Sequence, residues 1–317
     1  MSPGMMRPAP RRTDIEDAAI ARVVARISGE YVLRASQLLI EDFGDVRAGL
    51  LVQAINANVV RPAEGRDPWR ATGPGGVHAD EARRPIRISR LAETAGLPFE
   101  TARRIVRRLI DAGACIRAEG GVIVPKATLD SPATIRNALV SLAYVRRFLR
   151  DLKAIGLVVD ERPAPTAQAK VAEEAAIAFS VAPFSNEYIL RALRLLADTY
   201  GDIRIGLVAQ AIVTANTAHL DSRTGEGWRY AGIDQTPPDE VLRPISVYGL
   251  AESLGTPYET TRAQVRRLQD AGFCVRVEGG FIVPRAVLET PAALRATLTS
   301  VGYVRQFLRE VHPLGLA

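Results

Sequence analysis

Arg103, Arg104, Arg107 and Arg108 follow Glu100 within one short stretch, and Arg262, Arg266 and Arg267 follow Glu259 in another. On a helix this spacing gathers the guanidinium groups on one side. A guanidinium offers five N–H donors in a planar fork, which fits a phosphate or the O6/N7 edge of guanine. The chemistry implied is recognition of a polyanion, with no bond made or broken. Groups that could do catalysis are scattered. His78, His219 and His312 have no His or Cys at ligand spacing, and Cys115 and Cys274 stand alone. The chain has no HExxH, no GxSxG and no Gly-rich phosphate loop. A protein that is not an enzyme, with no cofactor and no metal, is the expectation.

The elements that must position these arginines surround them. ISRLAETAGLPFETARRIVRRLIDAGACIRAEGGVIVP, from Ile88 to Pro125, returns as VYGLAESLGTPYETTRAQVRRLQDAGFCVRVEGGFIVP, from Val247 to Pro284. In the first copy Leu91, Ala92 and Ala95 mark the inner face of a short helix that Gly96 ends. Pro98 opens a second helix, and Glu100 lies in its first turn, where the helix dipole favours a carboxylate. Ala102, Ile105, Val106 and Leu109 form its buried stripe at i, i+3, i+4 and i+7. The arginines take the other face. Gly113 closes the helix, and Cys115–Glu119 and Val122–Val124 form a hairpin turned at Gly120-Gly121. The cysteines occupy the same place in each copy and are expected as buried core thiols. Gln264 replaces Ile105 in the second copy, which predicts a shifted or looser helix there.

Short helix, tight turn, Arg-rich helix and hairpin, in this order, resemble the winged helix-turn-helix of bacterial transcription regulators, near its Crp, IclR and GntR types. That device lays a helix in the DNA major groove. GLPFETARR, at Gly96 to Arg104, is similar to the turn and recognition-helix start of the Crp type. The resemblance implies base contacts by Glu100 and Arg104. Phe99 and Tyr258 stand where a third polar reader is usual, and Ala263 takes the place of Arg104 in the second copy. The first reading head thus offers Phe99, Glu100, Arg103, Arg104, Arg107 and Arg108; the second offers Tyr258, Glu259, Arg262, Arg266 and Arg267. Arg107-Arg108 and Arg266-Arg267 lie toward the helix C-termini and suit phosphate contact. The hairpin tips, at Glu119 and Glu278, are acidic, which leaves Arg117 and Arg276 to touch the DNA backbone.

The repeat is larger than this motif. Tyr31-Val-Leu-Arg-Ala returns as Tyr188-Ile-Leu-Arg-Ala, Gly44-Asp45 as Gly201-Asp202, Trp69-Arg70 as Trp228-Arg229, and Tyr144-Val-Arg as Tyr303-Val-Arg. The expected organisation is a disordered stretch at 1–12, a domain at 13–157, a linker at 158–183 and a second domain at 184–317. The fold class expected is mainly α with small β-wings. Thr13–Ile27 and Glu30–Phe43 are expected as separate helices, the former opened by the capping box of Thr13 and Glu16. Gly44 then breaks the chain and Asp45 caps a helix to Asn58. Val60–Arg83 is a Pro- and Gly-rich loop in which Trp69-Arg70 packs back. Ser131-Pro132 opens a last helix to Arg150, with Ile135, Leu139, Leu142, Val145 and Leu149 inward. A short helix is expected within the linker, at Ala167–Ala178. Helices on both sides of a winged helix resemble regulators of the MarR type, where they build a dimer interface. This implies a single-chain pseudo-dimer, with recognition helices about 34 Å apart. Two beads on a linker, with no fixed geometry, are the alternative.

The 317 residues are 47% hydrophobic and 24% charged, an ordinary globular composition. A net charge of +6 and a pI near 9.6 lean toward a polyanionic partner. Lys126, Lys153 and Lys170 are the only lysines, so arginine carries nearly all of it; an Arg-rich coding bias gives the same statistic. Met1–Arg12 lacks the apolar core of a signal peptide, and no apolar run has the length of a membrane span. A cytoplasmic, nucleoid-associated protein is expected. Its expected function is transcriptional regulation, by reading an imperfect inverted repeat in double-stranded DNA as a monomeric pseudo-dimer or a homodimer. RNA polymerase and a small effector are further partners that this allows. The alternatives are a plasmid-type replication initiator and a winged-helix scaffold for protein interaction or chromosome organisation.

Overall fold

The computed structural model describes residues 12–59, 80, 83–157, 171–220, 225–314 and 316. In the first half it has α1 (Arg12–Phe43), α2 (Val46–Val59), α3 (Ile88–Ala95), α4 (Phe99–Asp111), β1 (Ile116–Ala118), β2 (Gly121–Ile123), α5 (Lys126–Leu129) and α6 (Pro132–Ala154). In the second it has α7 (Val171–Tyr200), α8 (Ile203–Thr217), α9 (Gly225–Trp228), α10 (Val247–Leu254), α11 (Tyr258–Asp270), β3 (Val275–Val277), β4 (Gly280–Ile282), α12 (Arg285–Leu288) and α13 (Pro291–Val311). The protein is mainly helical, and its strands pair as two-stranded antiparallel sheets. No helix among the described residues is long and apolar enough to cross a membrane.

Local chemistry sets the bends. Gly44 and Gly201 take φ of 69° and 80°, a left-handed conformation open to glycine. The next residue caps the following helix: Asp45 accepts from the Arg47 amide at 3.0 Å, and Asp202 from that of Arg204 at 2.8 Å. Ser131 caps α6 by accepting from the Thr134 amide at 3.2 Å, with Pro132 as its first residue.

Several expectations are corrected. Thr13–Ile27 and Glu30–Phe43 are one helix, α1, uninterrupted at Gly29. There a Cβ would lie 2.2 Å from Gln210 Nε2, so the glycine marks a close crossing of α8 and not a break. The stretch 171–183, expected in the linker, belongs to α7, which continues through Pro183. It is helical because Ala175, Ala178 and Val181 have a core to bury in. The short linker helix is therefore the start of α7, and 158–170 lies outside the described residues, as do 1–11 and Trp69-Arg70. The matching Trp228 is 39% exposed rather than packed back. In α6, Leu142, Val145 and Leu149 are buried as expected, Ile135 and Leu139 only half so, and Phe148 and Leu152 join them.

Besides a core in each half behind its hairpin, the two halves share a third. α1, α6, α7 and α13 pack on one another, α1 against α13 and α6, and α7 against α13 and α6. At their meeting point lie Tyr31, Phe148, Tyr188 and Phe307. Tyr31 stacks on Phe148 with centroids 4.5 Å apart and planes 7° apart, and Tyr188 lies tilted on Phe307 at 5.3 Å. Tyr31 Oη shares a 2.6 Å hydrogen bond with Ser185 Oγ; Tyr188 Oη shares one of the same length with Ser28 Oγ. Ser28 and Tyr31 correspond to Ser185 and Tyr188 in the repeat, so each contact recurs with the halves exchanged. The same exchange holds at the rim. Arg146 pairs with Glu174 at 2.6 Å, and Arg305 with Asp17. Arg194 donates to the Glu93 carbonyl at 3.1 Å, and its counterpart Gln37 to that of Ser253, one residue past the equivalent of Glu93. Each long helix thereby touches the short helix of the opposite half.

Candidate nucleic-acid interface

The arginine-bearing helices are held from behind by cores of their own. Ala102, Ile105, Val106 and Leu109 are buried against α2 and α3, through Leu51, Ile55, Leu91 and Ala95. Thr261, Val265 and Leu268 do the same in the second half, where Thr261 Oγ1 meets Thr256 Oγ1 at 2.8 Å and Pro257 O at 3.3 Å. The α3–α4 turn is a Schellman closure: Gly96 sits at φ 62°, and the Leu97 amide reaches Ala92 O at 2.9 Å. Pro98 is the N-cap rather than the first helical residue, and its carbonyl receives the Ala102 amide at 3.0 Å. α11 spans as many residues as α4 with the same cap geometry, so the half-buried Gln264 neither shifts nor loosens it.

The hairpins pack beside these helices. β1 pairs with β2 in the register Ile116↔Ile123, and β3 with β4 in the register Val275↔Ile282. The turn is one residue earlier than expected, at Glu119-Gly120, and Gly121 begins the strand. Its missing side chain has a reason. The chain at Ile86 bridges to Val122, and a Cβ on Gly121 would stand 2.3 Å from Ile86 O. Gly280 meets Ile245 O at the same distance. The second hairpin has a further clamp that the sequence leaves unmarked, a buried amide in an apolar run. Asn216 donates to Arg243 O at 2.8 Å and Phe281 O at 3.1 Å, and accepts from the Val283 amide at 3.0 Å.

The proposed reading residues fall on the free faces of these units. Glu100, Arg103, Arg104, Arg107 and Arg108 are all exposed on α4, and Glu259, Arg262, Arg266 and Arg267 on α11. Arg103 pairs with Glu100 at 2.7 Å, and Arg262 with Glu259 at 2.7 Å. These are solvent-facing pairs one turn apart, of the kind that water and salt screen. The side chains of Arg104, Arg107 and Arg108 make no ion pair or hydrogen bond among the described residues; nor do those of Arg266 and Arg267. Arg117 and Arg276 are exposed on β1 and β3. Phe99 and Tyr258 open the two helices with 48% and 47% of their surface in solvent, and Ile116 and Val275 of the hairpins are exposed as well. Each unit therefore exposes cationic side chains together with a few apolar ones. His219 is half-buried after α8 and His312 is exposed at the end of α13; neither adjoins α4 or α11 in sequence.

Cys115 and Cys274 are buried in the two head cores. Burial pushes the thiols up, to about 12 and about 11, because a thiolate there would lose its hydration. Both are thus expected to resist alkylation by iodoacetamide at pH 8 and to label fully in denaturant, a difference that intact-mass measurement reads.

Neither the scan against protein-family models nor the searches of curated proteins and solved structures find a match to the chain.

Proposed function

We propose that the chain is a pair of winged helix-turn-helix units fused as a single-chain pseudo-dimer, and that it binds double-stranded DNA as a transcriptional regulator. In this reading α4 and α11 enter successive major grooves. The observation that carries it is the pair of helices itself, each buried along one stripe and each turning uncommitted guanidiniums to solvent. The exchange of contacts between halves supports it too, because a two-fold arrangement of heads suits an inverted repeat. Arg104 against Ala263 makes the heads unequal, which suits an imperfect one. Arg107, Arg108, Arg266, Arg267, Arg117 and Arg276 then serve the backbone, and Glu100, Arg104 and the aromatic edges of Phe99 and Tyr258 serve the bases.

Phosphate contacts release counterions, so the affinity is expected to fall linearly in log–log form between about 50 and 200 mM salt. Fluorescence anisotropy on labelled duplex measures this. No binding at the lowest salt, or an affinity indifferent to salt, overturns the proposal and favours protein capture through the exposed apolar side chains.

A further inference from the structure

Arg22 and Arg26 are the least expected charges in the protein. They lie on the core side of α1, with Arg22 only 7% exposed, and neither forms an ion pair among the described residues. Arg22 donates through Nε to Ile233 O at 3.0 Å and through a terminal nitrogen to Leu288 O at 3.4 Å. Arg26 donates to Tyr230 O at 2.8 Å and Gly227 O at 3.0 Å, while its Nε is enclosed with no acceptor. Glu289 and Asp234 bear on Arg22 from a distance, and Arg285 opposes them. Burial lowers both guanidiniums, Arg26 to about 10; Glu289 and Asp234 offset part of this cost for Arg22, and no carboxylate among the described residues pairs directly with either.

The repeat framework does not require them. Ala18-Ala-Ile-Ala21 aligns with Ala175-Ala-Ile-Ala178, so Phe179 and Pro183 occupy the matching places in α7. The chain beside them is unusual as well. The segment Ala231–Ile233 enters the hydrogen-bond ladder of α1, since Ile233 N donates to Ala18 O at 2.7 Å and Arg22 N to Ala231 O at 2.9 Å. Both arginines line a cavity of about 150 Å3 between α1, α7, α8 and α13, partly open to solvent. Its wall is mostly apolar, with Ser28, Gln210, Thr214 and Ser300 as polar points.

We infer that this cavity binds a small organic carboxylate, its carboxylate on Arg22 and Arg26 and its apolar body along α7 and α13. A cavity of this size admits a ring about as large as benzene, and a buried guanidinium prefers a carboxylate to a carbonyl oxygen. The site goes beyond the DNA-binding proposal and does not rest on it, because its test reads ligand binding alone.

The test is calorimetry and thermal shift on the full chain with benzoate and hexanoate as probes, beside benzamide, benzylamine and inorganic phosphate. Both carboxylates are expected to bind with a Kd of about 1 mM or tighter. The neutral, cationic and purely inorganic probes are expected to bind at least about tenfold more weakly, one charge-assisted contact being worth that much. Ala296→Leu, which fills the cavity and leaves the arginines in place, is expected to abolish binding without lowering the melting temperature. Arg26→Gln is expected to weaken it at least about tenfold. Carboxylates that do not bind, benzamide or phosphate that bind equally well, or an Ala296→Leu chain that binds like the parent would each overturn the inference. The arginines would then serve only to anchor the 227–233 segment.

Discussion

Phe148→Ala is expected to destabilise the whole chain by about 3–5 kcal/mol, and to do so in both halves at once. Phe148 is buried, stacked on Tyr31 and tilted on Tyr188 at 5.6 Å and on Phe307 at 5.8 Å. Removing its ring leaves a void among three aromatic side chains drawn from three helices of two repeats, which cannot all collapse into it. Because α1, α6, α7 and α13 share this core, the destabilisation is common to them. Urea unfolding followed by circular dichroism is expected to show one transition with a lower midpoint and an unchanged slope. Leu298→Ala, on the exposed side of α13, serves as the control and is expected to change stability by no more than about 0.5 kcal/mol. Two separate transitions, of which Phe148→Ala moved only one, would contradict a common core.

The second large effect concerns the heads. Arg104→Ala with Arg107→Ala is expected to weaken binding to a preferred duplex by about 1–3 kcal/mol for the base edge that Arg104 no longer reads, with the phosphate contact of Arg107 lost besides. Removing Arg266 and Arg267 is expected to act differently. Without their hold on phosphates, binding weakens for all sequences alike and the salt slope falls by about 1 for each arginine. The inequality follows from position: Arg104 faces solvent beside Glu100 near the start of α4, where its counterpart is Ala263, whereas Arg266 and Arg267 lie nearer the C-terminal end of α11. Competition gel shifts against scrambled duplex separate the two. Unchanged affinity in the Arg104/Arg107 double variant would remove α4 from the interface.

The heads are legible in the amino-acid order because their determinants are local. A stripe at Ala102, Ile105, Val106 and Leu109, glycines at the helix ends and a hairpin between branched residues are read within one turn or one strand of themselves. The corrections there concern single positions. Gly121 reads as a turn residue because nothing nearby announces that Ile86 passes over it. The stretch around Gly29 reads as a gap between helices because the side chain this glycine admits, Gln210, belongs to a helix of the other half. Phe148 escapes a local reading for the same reason: its partners are mostly outside its own repeat.

Sequence alone determined the repeated helices, their capped bends and the arginine-lined faces, since backbone preference and apolar spacing act over a few residues. The tertiary structure decided that the two repeats share one core, that each long helix touches the opposite half, and that Arg22 and Arg26 border a cavity. Those outcomes depend on pairings between segments far apart in the chain, and such pairings are settled by shape and burial that no local periodicity carries.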